Sequence, residues 1–192
     1  RCVHVCPCAE YTKTTAPRYR WNVYDDGMHD SATQTFARIR SMIEGHGLRI
    51  AAMDDARPWG GFFVIDESRA KEFIDAFFPD EDSSELMQRK VSPKILVVAP
   101  GKRLSWQYHH RRAELWRVLE GPVRVMRSHD DAETSPETFV AGDVIQLSQG
   151  ERHRLIGADD YGVIAEIWQH TESSHPSDEN DIVRVQDDFG RR

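Results

Sequence analysis

At 192 residues the chain is long enough for one domain with a sizeable core, and 39% hydrophobic and 30% charged residues suit a hydrated surface around it. Its 32 acidic and 25 basic residues leave a formal charge of −7, which argues against a nucleic-acid partner, since binding a phosphate backbone needs a basic face. No apolar run approaches the roughly 18 residues expected of a membrane span, and the opening residues lack the charged-then-apolar layout of a secretory signal.

The three cysteines, Cys2, Cys6 and Cys8, all fall in the first eight residues, so no disulfide is expected in the main domain, and a reducing cytoplasm is the expected setting. "CVHVCPC" offers thiolate and imidazole donors that suit zinc, but without paired CxxC spacing. Non-native or irregular sequence is the simpler reading there. Residues 1 to about 30 follow neither the helix nor the strand period and read as an irregular arm. From Ala32 to Glu44, Phe36, Ile39 and Ile43 recur at helical spacing, with Gly45 and Gly47 placed to end a helix. The expected organisation is therefore an arm and short helix over 1–50 and a main domain over 51–192. "GFFVI" (61–65) predicts a short strand. In "SRAKEFIDAFFPD" (68–80), Ala70, Phe73, Ile74 and Phe77 make a helix stripe that Pro79 terminates. "DEDSSE" (80–85) reads as a solvated acidic loop.

After Pro93 the texture changes. "KILVVA", "RLSWQYH", "ELWRVLE", "VRVMRS", "DVIQLS", "HRLIG" and "GVIAEIWQH" are short segments rich in β-branched and aromatic residues, separated by turn chemistry such as "PG", "GP" and "GADD". That succession predicts a mainly β sandwich or barrel. The polar stretch "SSHPSDEN" leads to one more strand, "IVRV".

The stretch "WQYHHRRAELW" (106–116) concentrates the chemistry. If 103–110 is a strand, Ser105, Gln107 and His109 share one face, and Tyr108 and His110 the other. A chain reversal near Arg111 and Arg112 would start an antiparallel neighbour, in which Arg112, Glu114 and Trp116 share a face and Glu114 lies beside His109. His153 could join them from a further strand. Two imidazoles, an amide oxygen and a carboxylate are a reasonable ligand set for a divalent ion. The same residue types also occur on ordinary surface strands, so both readings stand at this point.

The spacing carries a resemblance. Gly101 to Gly121 reads G-x5-Q-x-H-x4-E-x6-G, similar to the first cupin motif with Gln107 in place of its first His. Gly142 onward reads G-x5-S-x-G-x2-H and resembles the second, with Ser148 for the usual Pro and Gly157 for the usual Asn. "PGKRLSWQYHHRRAELWRVLEG", "GERHRL", "RPWGGFFV" (57–64) and "DIVRVQDDFGR" together resemble the cupin-type phosphomannose isomerases, in chain order from 57 to 191. That resemblance implies a cupin jelly-roll barrel with N-terminal helical additions.

It also implies one divalent metal ion, zinc first and Mn, Co, Fe or Ni as alternatives, held by Gln107, His109, Glu114 and His153. The activity implied is interconversion of mannose 6-phosphate and fructose 6-phosphate through a cis-enediol, with a small phosphosugar as partner and a homodimer as an option. Arg112 is the candidate for stabilising enediolate or substrate, against an ordinary salt-bridged arginine. Lys94 and Arg184 are candidates for phosphate contact or proton transfer, with solvated surface charge as the simpler reading. Asp181 is expected near the barrel mouth. Trp59, Trp106, Trp116 and Trp168 are core by default, or a stacking platform for sugar. Nothing in the chain resembles the Gly-rich nucleotide loop of the bifunctional members, so no sugar-nucleotide synthesis is expected of it. Another cupin sugar isomerase, an Fe(II) oxygenase built on His109, Glu114 and His153, and a non-catalytic sugar-binding cupin are the rival readings.

Overall fold

The computed structural model describes residues 30–191; the cysteine cluster and the arm lie outside them. The alternating strands assemble into two antiparallel sheets. One contains β1 (Ile50–Arg57), β2 (Gly60–Ile65), β3 (Val91–Val98), β5 (Arg112–Glu120), β8 (Val144–Leu147) and β10 (Gly162–His170), in the order β1-β2-β3-β10-β5-β8. The other contains β4 (Trp106–His109), β6 (Val123–Ser128), β7 (Glu137–Phe139), β9 (Arg152–Gly157) and β11 (Ile182–Gln186), in the order β11-β4-β9-β6-β7.

The first sheet is covered on both faces. Its outer face packs under helices α1 (Ala32–Gly45) and α2 (Ala70–Phe77), whose Phe36, Ile39, Ile43, Phe73, Ile74 and Phe77 meet Phe63, Ile95, Val97, Leu115 and Ile167. Its inner face meets the second sheet through Leu96, Trp116, Val118 and Ile164 against Val123, Val125 and Leu155. This explains why "GVIAEIWQH" reads as a nearly unbroken apolar run: β10 has no solvent face on which to alternate. Ser31 starts α1 with a capping box, its side chain accepting from the Gln34 amide while the Gln34 side chain accepts from the Ser31 amide.

Four local expectations are revised. Strand β1 was not expected, because "IAAMDDAR" is an edge strand with little buried surface and so shows no apolar alternation. The three-residue edge strand β7 was missed for the same reason. The supposed acidic loop contains a one-turn helix, α3 (Ser83–Leu86), which Asp82 caps by accepting from the amides of Ser84 and Glu85. Most importantly, β4 and β5 are not paired with each other. β4 pairs with β11 and β9, and β5 with β10 and β8, so His109 and Glu114 approach from opposite sheets across the barrel.

Candidate metal centre

The inner face of the first sheet is layered. Ile164 sits opposite Leu96 and Val118 at the apolar floor; Glu166 lies opposite Lys94 and Trp116 above it; Trp168 lies opposite Ser92 and Glu114 above that; and Arg112 follows, opposite His170. From the other sheet, Gln107 stands directly opposite both His153 and Arg184. Two-residue periodicity thus aims all of these side chains into one space.

His109, Glu114 and His153 converge there, with one donor atom of each within 4.8 Å of the others, and all three are buried. His109 Nε2 lies 3.1 Å from Glu114 Oε1, and His153 Nε2 lies 3.3 Å from Glu114 Oε2. The Glu151 carbonyl is 2.9 Å from His153 Nδ1, which assigns the proton to Nδ1 and leaves the Nε2 lone pair directed inward. His153 Nε2 and Glu114 Oε2 are buried without a hydrogen-bond partner. Two orphaned donor atoms facing each other in a buried site fit a divalent cation, which satisfies both. Gln107 is half-buried on the same wall, its Oε1 accepting from the Ser105 hydroxyl at 2.6 Å.

Electrostatics follow from burial and proximity. Burial would raise the Glu114 carboxyl, but His109, Arg112 and His153 around it outweigh that and hold it well below the carboxylate range. Burial depresses His109 to about 4 despite the neighbouring carboxylate. For His153 burial acts downward too, yet Glu114 and the Glu151 carbonyl raise it overall. An ionised Glu114 and a neutral His109 are the protonation states a metal site requires, and a bound cation would displace any proton from His153 Nε2.

Arg112 belongs to this site. Its guanidinium is buried, donates from Nε to Glu114 Oε1 at 2.7 Å and from Nη1 to the Ser177 hydroxyl at 2.9 Å, places Nη2 3.1 Å from His109 Nε2, and stacks 3.5 Å from the Trp168 ring centre. Lys94 is not a solvated surface charge: it is buried, bonds Glu179 at 2.7 Å and lies 3.5 Å from the Trp168 ring centre on its other contacts. Arg184 is half-buried on the opposite wall. Both line a cleft of about 570 Å³, solvent included, alongside Gln107, Arg112 and Glu166. Cations on its lining (Arg57, Lys94, Arg112, Arg184, Arg191) outnumber the carboxylates Glu166 and Glu179.

Other candidates separate cleanly. Trp59, Trp116 and Trp168 line the cleft, whereas Trp106 packs with Met126 and Ile156 in a separate cluster. His110 is exposed and meets the Tyr108 ring edge-on, the parity expected of it. Asp181 is buried as a tail anchor rather than a cleft residue. It accepts from the amides of His110 and Arg111 and from the Ser177 hydroxyl, fixing the segment whose Ser177 holds Arg112. Glu166 went unnoticed in the sequence, although a single carboxylate inside an apolar strand was a readable signal. Burial first, and then the nearby Glu114 charge, raise its carboxyl to about 8.

A two-sheet antiparallel barrel with a His/Glu/His cluster buried between its sheets defines a cupin-type domain. The family model described as mannose-6-phosphate isomerase C-terminal matches residues 77–187, more than half of the chain, and the chain belongs to that family. XanB, a xanthan biosynthesis protein of Xanthomonas campestris pv. campestris, is 28% identical over 165 residues, covering 85% of this chain and 29% of that protein. The alginate biosynthesis protein AlgA of Pseudomonas aeruginosa is 30% identical over 137 residues, covering 70% of this chain and 22% of that protein. The chain spans less than a third of the length of these curated relatives. Among solved structures it is similar to a cupin 2 conserved barrel domain protein from Salinispora arenicola, at 26% identity over 41% of this chain and 62% of that one, with a TM-score of 0.36.

Proposed function

We propose that this domain is a metal-dependent aldose–ketose isomerase that interconverts mannose 6-phosphate and fructose 6-phosphate. The observation that carries the reading is a family-matched barrel that buries a His/Glu/His cluster in which Glu114 Oε2 and His153 Nε2 lack hydrogen-bond partners, with Arg112, bonded to Glu114, lining a neighbouring cleft whose charged groups are mostly cationic. His109, Glu114, His153 and Gln107 would hold one divalent ion, zinc by first expectation. Such an ion supplies Lewis-acid stabilisation of negative charge on the substrate's C1 and C2 oxygens.

The remaining work falls to the chain. Arg112, fixed by Glu114, Ser177 and Trp168, presents a rigid, permanently charged fork where an enediolate oxygen would develop charge, so little reorganisation is needed when the charge appears. Lys94 and Arg184, on facing walls, supply cationic contacts for the phosphate. Trp59 and Trp168 close the walls with apolar surface against the sugar and limit water.

The test is conversion of fructose 6-phosphate to mannose 6-phosphate by chain reconstituted with Zn, Mn, Co or Fe, alongside metal content by plasma emission. Turnover with one of these ions is expected, and stripping the ion with a chelator should abolish it. His153→Ala and Gln107→Ala should each lose bound metal. A folded, reconstituted sample that turns over no phosphosugar would overturn the reading, and oxygen consumption would favour the oxygenase alternative.

A further inference from the structure

An aldose–ketose isomerase needs a group that takes a proton from one carbon and returns it to the next, and the ligand set leaves few groups in the cleft for that task. His109, Glu114 and His153 are committed to the cation, and Arg112 and Arg184 are guanidinium groups, which do not give up a proton at working pH. The Lys94 ammonium is tied to Glu179 and held against Trp168. Against burial, which acts the other way, the same lysine holds the Glu179 carboxyl below the usual range, making it a weak base.

Glu166 differs from all of these. It stands at the centre of β10, one layer below Glu114, facing into the cleft between Lys94 and Trp116. Trp116 Nε1 donates to its Oε1 at 3.0 Å, which fixes the carboxyl's orientation, and among the described residues no hydrogen bond is made to Oε2. The residue is buried in an otherwise apolar strand, where a carboxyl without a task would be costly.

We propose that Glu166 is the catalytic base of this cleft, exchanging a proton between C1 and C2 of the open-chain phosphosugar. The assignment rests on the isomerase reading above. From aldose to ketose the carboxylate takes the C2 proton; the C2–H electron pair becomes the C1=C2 double bond, and the C1 carbonyl pair moves onto O1. The resulting carboxylic acid then protonates C1, C2=O forms, and the hydroxyl proton passes from O2 to O1. Atoms and electrons balance with no oxidant or reductant. Glu114, Lys94 and Arg112 are the charged groups that act on it from its own sheet, and Arg184 lines the same cleft from the other.

The test compares metal-loaded wild type, Glu166→Gln and Glu166→Asp in D2O. Wild type should turn over fructose 6-phosphate and exchange carbon-bound hydrogen with solvent. Glu166→Gln should lose roughly 10²-fold or more in kcat and stop the carbon–hydrogen exchange, while keeping its metal content and, by calorimetry, its affinity for fructose 6-phosphate. Glu166→Asp, which keeps a carboxylate, should recover part of both rates. Three results would overturn the assignment: Glu166→Gln within a few-fold of wild type, exchange that continues in it, or loss of metal or affinity that accounts for the lost rate. If wild type itself is inactive, the isomerase reading falls first and the assignment with it, so the two failures are distinguishable.

Discussion

Glu114 and Glu166 lie on one inner face, one layer apart, and their surroundings drive them in opposite directions. Cationic neighbours keep Glu114 ionised, whereas in the metal-free chain burial and the Glu114 charge raise the Glu166 carboxyl to about 8. The Glu166 shift has a thermodynamic sign. Its ordinary value is 4.5, so between that and about 8 the folded chain binds a proton that the unfolded chain has released. Stability contributed by this residue is therefore complete below 4.5 and falls as pH rises through that window, by roughly 5 kcal/mol at most. Urea unfolding of the metal-free chain at pH 5 and pH 8 should show this decline in wild type, and a markedly flatter profile in Glu166→Gln. Parallel profiles would mean that Glu166 is not held protonated. At this scale the sequence was informative about direction: strand parity separated His109 from His110 and put Arg112 with Glu114. It also carried a signal for Glu166, a lone carboxylate in an apolar strand, but not which side of the first sheet that carboxylate faces.

Strand β10 shows why elements were easier to find than to pair. Its composition announced a strand, but its neighbours β3 and β5 follow from register over many residues, not from any local motif. The stripe Ala70, Phe73, Ile74 and Phe77 in α2 was legible because a helix covering a sheet must bury one face, and all four residues are buried. Close approaches between strands were not legible. A Cβ built at Gly157 would stand 2.2 Å from the Ala99 carbonyl oxygen, a backbone atom with little room to move. Gly157→Ala should therefore push β9 away from the chain leaving β3 and cost roughly 1–3 kcal/mol, as overpacking does. A lowered melting temperature with the metal content retained is the expected readout; an unchanged melting temperature would show that the two segments separate freely.

Across the whole molecule a net charge of −7 coexists with a cleft whose charged lining is mostly cationic. An anionic sugar would thus be drawn by a local field rather than by overall charge. Fructose 6-phosphate should perturb the fluorescence of Trp59, Trp116 and Trp168 in the cleft, with an affinity that weakens as salt rises and exceeds that of neutral fructose. Equal affinities for the two sugars would remove the phosphate role of Lys94 and Arg184. Among the described residues no helix is long and apolar enough to cross a membrane. The sequence by itself determined the β class, the two helix stripes, the family resemblance and the shared parity of Gln107 with His109 and of Arg112 with Glu114, because periodicity and motif spacing are local properties. Tertiary structure alone decided that β4 and β5 belong to opposite sheets, that Lys94 is buried, and that Glu166 lies one layer below Glu114. Those facts depend on which distant strands share a sheet, and two strands of identical local pattern can be placed side by side or face to face.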